Sequence, residues 1–291
     1  MREVRYKIKN KNQNMNTPIV DLKTKGFVRL NYPQSLRRAV VRAVDSWRRF
    51  YLLPEELKKG LPYSNNADGV GYELKNGIGN KADRKENFDV ALGGAEWLYQ
   101  HSEGIYSAPI LEFIENATAL VALVKPLILD FARQVEITYG LKGFADEVNQ
   151  SDNAYFIRFN HFFGERKVGE EMATAHNDQS GFTLHLFESA PGLQCFTYDK
   201  QWVDMPVSEG ETVIIPSMQM QLQSKGELVA LGHRVVATSE TADDGRSSVV
   251  CFVQLKNTAK YDKDRWGRLQ EMEPGWNYGL SQAKFQKFFK K

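Results

Sequence analysis

The sequence predicts an α+β protein, with helices in its first half packed against an antiparallel β core in its second. Two patterns predict this. Over residues 36–51 and again from about 108 to 139 apolar side chains recur at steps of three and four, the period of a helix with one buried face. Beyond residue 150 they recur at steps of two, and Gly, Pro, Asp and Ser separate the runs, as in an antiparallel barrel or sandwich.

Taken in order, "TPIVDL" and "GFVRL" read as short strands around a turn at Gly26. Leu36, Val40, Val44, Trp47 and Tyr51, with arginines between them, predict an amphipathic helix that ends before Pro54. "PEELKKG" reads as a second, short helix with Pro54 at its start and Gly60 at its end. Residues 60–106 are rich in Gly, Asn and charge and read as an ordered loop with one short strand, a length that suggests function. Ile110, Phe113, Ala117, Leu120, Val124, Leu127 and Phe131 then predict a long helix with Pro126 as a potential kink. The strand runs are "AYFIRFNHFF", "GFTLHLFE", "LQCFTY", "QWVDMPV", "ETVIIPS", "QMQLQS", "HRVVAT" and "SSVVCFVQL". In the first of them, alternation puts Arg158, Asn160 and Phe162 on one face and Tyr155, Ile157 and Phe159 on the other. "KFQKFFKK" reads as a terminal helix docking Phe285, Phe288 and Phe289 on the core.

No repeat or Pro- or Ser-rich linker divides the chain, so residues 1–291 read as one domain. Its parts are a mostly helical region 1–150, a β core 151–260 and a helical segment 261–291. Hydrophobic residues make up 42% and charged residues 25%, which excludes a disordered chain. The net charge of +2 gives no footprint for nucleic acid, and no apolar run is long enough to span a membrane. Oligomeric state is not legible. Only Cys195 and Cys251 occur, so a disulfide framework and a paired-cysteine zinc site are not expected. That usage, with a polar, basic N-terminal stretch that lacks the apolar core of a signal peptide, reads as cytoplasmic.

The chemistry concentrates in "TAHNDQSGF", where His176 and Asp178 stand two residues apart. In an extended segment both point to one face, and His233 in "LGHRVV" lies on a later strand that a barrel could bring opposite. Two histidines and one carboxylate on one face of an octahedral ion leave positions open on non-haem Fe(II). Thirteen residues after His233, Arg246 and Ser248 share a strand face, and a guanidinium fork beside a hydroxyl suits a carboxylate.

The ordered set of His-x-Asp, distant His and Arg-x-Ser resembles the 2-oxoglutarate/Fe(II)-dependent dioxygenase superfamily, specifically its isopenicillin N synthase-like branch. "TPIVDL...GFVRL", "RRFYLLPEELKKGL...GYE" and "APGLQCFTYDKQWVDMPVSEGETVIIPSMQMQLQSKGELVALGHRVV" extend the resemblance over most of the chain. It implies a double-stranded β-helix, the jelly-roll or cupin-like core, with the N-terminal helices packed against it. It assigns His176, Asp178 and His233 to iron and Arg246 and Ser248 to the distal carboxylate of 2-oxoglutarate. Many relatives add an Asn-x-Tyr pair at the co-substrate. Here Asn160 matches, while Phe162 stands where the tyrosine would be. "CFVQLKNTAKYD" also lacks the Asn-Pro step common in plant members. The implied reaction consumes 2-oxoglutarate and O2, releases succinate and CO2, and hydroxylates, desaturates or cyclises a small-molecule substrate. Asp178 argues against a halogenase, in which a small residue replaces the carboxylate.

Other readings remain open at this level. The same ligand types serve zinc, although a zinc hydrolase has no evident use for the Arg-x-Ser pair. An iron oxidase of the same fold that does not use 2-oxoglutarate would employ that pair on a substrate carboxylate. A binding protein without turnover is the third reading. His101, His161 and His185 read as packed or exposed side chains outside the site.

Overall fold

The period-two half of the chain closes into two facing antiparallel sheets. The structure is a computed structural model that describes residues 19–256 except 65–68, 77–83, 104, 106, 150–154, 198 and 200. Its first half contains α1 (Asp21–Thr24), β1 (Val28–Asn31), α2 (Gln34–Tyr51), α3 (Glu55–Lys58), β2 (Gly71–Asn76), β3 (Arg84–Val90), α4 (Ala95–Glu103), α5 (Ala108–Tyr139) and α6 (Phe144–Asn149). The second contains β4 (Tyr155–Phe162), β5 (Glu171–His176), β6 (Phe182–Glu188), β7 (Leu193–Phe196), β8 (Trp202–Asp204), β9 (Glu211–Pro216), α7 (Met218–Gln223), β10 (His233–Val236) and β11 (Arg246–Val253). One sheet runs β1-β9-β6-β11-β4-β3-β2 and the other β5-β10-β7-β8. This is the jelly-roll core, in an α+β setting.

The amphipathic helix forms as its spacing requires. Leu36, Val40, Val44 and Trp47 of α2 are buried while Arg38, Arg42 and Arg49 face outward. The long helix α5 carries Pro109 in its first turn and ends on Gly140 in the left-handed conformation, φ 65°. It continues through Pro126 as one element.

Both helices cover the outer face of the large sheet. Trp47, Phe50, Phe88, Phe113 and Phe159 meet there, with Phe50–Phe113 ring centroids 4.8 Å apart and Phe113–Phe159 5.0 Å apart. A second apolar cluster, including Phe162, Met172, Cys195, Val213, Ile215 and Val235, fills one end of the space between the sheets. The rest of that space is a cavity of about 350 Å³.

Three segments differ from their sequence pattern. The described part of "TPIVDL" is a turn and the short helix α1. Residues 60–106, expected to hold one short strand, form β2, β3 and α4. Lys85, Asn87 and Asp89 take the inner positions of β3, and these polar side chains conceal the alternation of a strand whose Phe88 and Val90 face the core. "QMQLQS", expected as a strand, is the helix α7. Gln and Met favour helix intrinsically, and buried glutamines satisfy loop backbone: Gln221 Oε1 accepts from Ala230 N at 2.9 Å, and Gln219 Oε1 from Leu255 N at 2.9 Å. The terminal helix expected to carry Phe285, Phe288 and Phe289 lies outside the described residues. Among the described residues, no helix is long and apolar enough to cross a membrane.

Candidate active site

His176 and His233 become neighbours because β5 and β10 are paired with these two residues directly opposite. Their rings lie 4.4 Å apart between centroids. His176 Nδ1 donates to the Thr174 carbonyl at 2.7 Å and His233 Nδ1 to the Leu231 carbonyl at 3.2 Å. A carbonyl only accepts, so each bond fixes the proton on Nδ1 and turns the Nε2 lone pair inward.

Asp178 follows β5 in a loop fastened by its own carbonyl, which accepts from Met218 N at 2.9 Å. The carboxylate lies 3.5 Å from His176 Nε2 and 3.8 Å from His233 Nε2. One ligand atom from each of the three residues falls within 4.8 Å of the others. Thr183 on β6 donates its hydroxyl to Asp178 Oδ2 at 2.6 Å and sits against Ser180 and Ser217, so the carboxylate is oriented from behind.

Electrostatics prepare this group for a cation. Burial acts to raise Asp178, but His233, His176 and the Thr183 hydroxyl outweigh it and hold the carboxyl well below its usual range. Burial pushes His233 down to about 3, against the attraction of Asp178. Burial also lowers His176, yet its bond to Asp178 and that residue's charge raise it above the ordinary imidazole value. An ionised carboxylate beside a neutral imidazole is the donor state that a divalent ion requires. The His176 side chain is 46% exposed, so the group opens toward the cavity on that side. This oxygen–nitrogen donor set suits non-haem Fe(II).

The residues expected at a carboxylate behave less uniformly. Ser248 and Asn160 are opposite one another on β11 and β4, both line the cavity, and Asn160 Nδ2 donates to Ser248 Oγ at 3.3 Å. Arg246 shares their face but does not line the cavity directly. Its Nη2 donates to Glu188 Oε2 at 2.5 Å and to the Ala190 carbonyl at 2.8 Å. Nε and Nη1 of the same guanidinium are buried without a partner. Two unpaired donors in a buried charged group are costly, and an anion reaching them would remove that cost, so the site fits a carboxylate ligand.

Three further polar residues of the cavity, Lys85, His185 and Glu188, escape the sequence reading, and Arg158 joins them on the wall. Lys85 on β3 donates to Asn160 Oδ1 at 3.1 Å. Arg158 lies on the face predicted for it, held by Asp89 through bonds of 2.7 and 2.6 Å. His185, expected as a packed or exposed side chain outside the site, bonds Glu188 Oε1 through Nδ1 at 3.1 Å, while its Nε2 is buried without a partner. Only the spacing of Phe88 and Val90 hints at the strand that carries Lys85; Glu188 depends on a register shift between β6 and β11 that no local pattern encodes. His161 and His101 lie elsewhere, stacked on Tyr51 and Trp97 at 4.0 Å each.

A jelly-roll that presents two histidines and a carboxylate at the mouth of a cavity defines the class of non-haem metal oxygenases. Known proteins agree with that reading. Residues 153–255 match the family model described as the 2OG-Fe(II) oxygenase superfamily. A 2-oxoglutarate-dependent dioxygenase of Didymella fabae is 27% identical over 234 residues, covering 70% of this chain and 68% of the relative. A 2-oxoglutarate-Fe(II) type oxidoreductase of Emericella nidulans is 25% identical over 234 residues, covering 74% and 67%. The dioxygenase for auxin oxidation 1 from Arabidopsis thaliana, solved as its 2-oxoglutarate complex, shares the fold, with a TM-score of 0.66 at 17% identity, covering 84% of this chain and 91% of that one. Residues 153–255 thus carry a 2OG-Fe(II) oxygenase superfamily region, and the wider chain is similar to 2-oxoglutarate-dependent dioxygenases. It is an oxidoreductase, a 2-oxoglutarate-dependent dioxygenase that works with Fe(II), 2-oxoglutarate and O2.

Proposed function

We propose that His176, Asp178 and His233 bind the Fe(II), that Arg246 and Ser248 hold the distal carboxylate of 2-oxoglutarate with Asn160 beside it, and that a small molecule is hydroxylated. Desaturation and ring closure are variants of the same oxidation. The observation that carries this reading is the convergence of three ligand atoms within 4.8 Å at a cavity with unpaired guanidinium N–H groups behind it.

Bound there, Fe(II) with 2-oxoglutarate and O2 supplies the oxidising power for a C–H bond, with succinate and CO2 as co-products. The protein's own part is geometric and electrostatic. Thr174 and Leu231 carbonyls hold the two imidazoles with Nε2 inward, and Thr183 fixes the angle of Asp178. Leu193, Phe162 and Val250 give the cavity dry walls, and Arg158, Gln179 and Gln254 give it polar groups able to orient a substrate. A volume of about 350 Å³ suits a small molecule and not a folded macromolecule.

Three finer assignments complete the reading. The order of His-x-Asp, distant His and Arg-x-Ser supports the isopenicillin N synthase-like branch. The helical layer and the two sheets act as one catalytic unit, since Trp47 on α2 donates its indole N–H to the carbonyl of Asn160 at 3.2 Å. Cys195 and Cys251 are both free thiols, which supports a cytoplasmic setting.

The test is turnover of the co-substrate. Protein reconstituted with Fe(II) in air is expected to convert 2-oxoglutarate to succinate, and His233→Ala is expected to abolish this. Equal succinate formation by wild type and His233→Ala would overturn the ligand assignment.

A further inference from the structure

Arg246 is buried, and it already holds a carboxylate. Glu188 Oε2 accepts from its Nη2 at 2.5 Å, with both side chains nearly inaccessible, 0% and 5% exposed. Nη2 also donates to the Ala190 carbonyl at 2.8 Å, while Nε and Nη1 have no partner. A guanidinium offers two forks to a carboxylate, Nε with Nη2 and Nη1 with Nη2, and both of them use Nη2. The two N–H groups of Nη2 are engaged by Glu188 and Ala190, so a second carboxylate finds neither fork complete.

Position adds to this. Glu188 lines the cavity and Arg246 does not, so an anion arriving from the cavity meets the Glu188 carboxylate before the guanidinium. Two carboxylates on one arginine would leave a surplus negative charge in a desolvated site, which is expensive. One of the two bonds at Nη2 must therefore open. The Ala190 carbonyl belongs to backbone that is pinned beside it: Ser189 N donates to the Ser247 carbonyl at 2.9 Å, and Ser189 Oγ accepts from Ser247 N at 2.9 Å. Glu188 is free to rotate as a side chain. Its Oε1 has a separate bond with His185 Nδ1 at 3.1 Å, and the residue also borders a second cavity, of about 360 Å³, shared with Val40, Val44 and Leu186.

We propose that Glu188 is an internal stand-in for the distal carboxylate of 2-oxoglutarate: it fills the fork of Arg246 in the free protein, leaves it when the co-substrate binds, and thereby sets the co-substrate affinity. The proposal rests on the reading that Arg246 and Ser248 mark the distal end of the co-substrate. In the free protein the pair keeps a buried guanidinium from standing without a counter-ion. On binding, one charge-assisted bond replaces another, so the net gain is smaller than an uncommitted arginine would give.

The test compares two 2-oxo acids on the anaerobic Fe(II)-loaded protein by titration calorimetry. 2-Oxoglutarate carries the distal carboxylate; 2-oxovalerate has the same chain length without it. Glu188→Gln keeps the side chain's size and an acceptor for His185 while removing the charge. It is expected to raise the affinity for 2-oxoglutarate about tenfold, the worth of the displaced charge-assisted bond. Its affinity for 2-oxovalerate stays at the wild-type value, which also shows that the variant is folded and holds metal. With 2-oxovalerate binding unchanged, equal or weaker binding of 2-oxoglutarate by Glu188→Gln overturns the proposal, since a carboxylate that only positions Arg246 would give a loss. A gain shared by both acids overturns it too. Independently of any substitution, a crystal structure of the wild-type Fe(II)–2-oxoglutarate complex is expected to show Glu188 Oε2 beyond hydrogen-bond distance of Arg246 Nη2, and persistence of that bond would overturn the proposal alone. Wild type that binds 2-oxoglutarate no more tightly than 2-oxovalerate overturns the assignment of Arg246 beneath it as well.

Discussion

Thr183 shows how much of the proposed metal site lies outside its proposed ligands. Its hydroxyl donates to Asp178 Oδ2 at 2.6 Å and takes up a lone pair that would otherwise be free to turn away from the ion. Thr183→Val keeps the shape and removes the bond, so Fe(II) affinity is expected to fall about 10- to 100-fold with the fold intact, measured by metal titration against circular dichroism. The convergence of His176, Asp178 and His233 was legible in the sequence because ligand chemistry restricts residue type and strand geometry restricts spacing. Glu188 was not, because a carboxylate three residues after a histidine says nothing until β6 is registered against β11. Lys85 was hidden for a related reason: a lysine in a polar stretch looks solvated until its strand is known to face a cavity.

At the scale of elements, β3 joins two environments. Its inner face carries Lys85 to the cavity, while Glu86 on the other face meets Lys58 at 2.5 Å, Tyr72 at 2.8 Å and His161 at 2.8 Å. Burial acts to raise Glu86, but those three bonds outweigh it and hold the carboxyl below its usual range. A folded-state value below the unfolded value of about 4.3 means the stabilisation is complete above that pH and fades as pH falls through the lower folded value. Glu86→Gln leaves the Lys58 ammonium buried without its counter-ion and is expected to cost about 3–5 kcal/mol in denaturant unfolding at neutral pH, with a flatter loss of stability toward acid. β11 begins on a tight turn at Gly245, φ 78°, where an added Cβ would stand 2.2 Å from the Phe162 carbonyl. Gly245→Ala is therefore expected to destabilise by more than about 1 kcal/mol and to weaken 2-oxoglutarate binding by shifting Arg246, readable by thermal unfolding and titration. The period of β4, β6, β9, β10 and β11 was legible because each has an apolar core face. α7 and β3 were not, since buried glutamines in one and inward polar residues in the other break the link between burial and hydrophobicity.

The whole molecule divides its labour between the two faces of one sheet. Aromatic and aliphatic side chains of α2 and α5 cover the outer face, which fixes the strands, and the inner face combines apolar residues such as Phe162, Val213 and Ile215 with the polar residues of the cavity wall. On the proposed reading, metal, co-substrate and substrate share the cavity between that face and the smaller sheet, which contributes His176 and His233. The most direct test of this account is an anaerobic titration of the metal-free protein with Fe(II) and then 2-oxoglutarate, following the visible charge-transfer band of a chelated 2-oxo acid. The account predicts a band that His176→Ala abolishes and Arg246→Ala weakens. Iron binding without the band, or a band that survives His176→Ala, would contradict it.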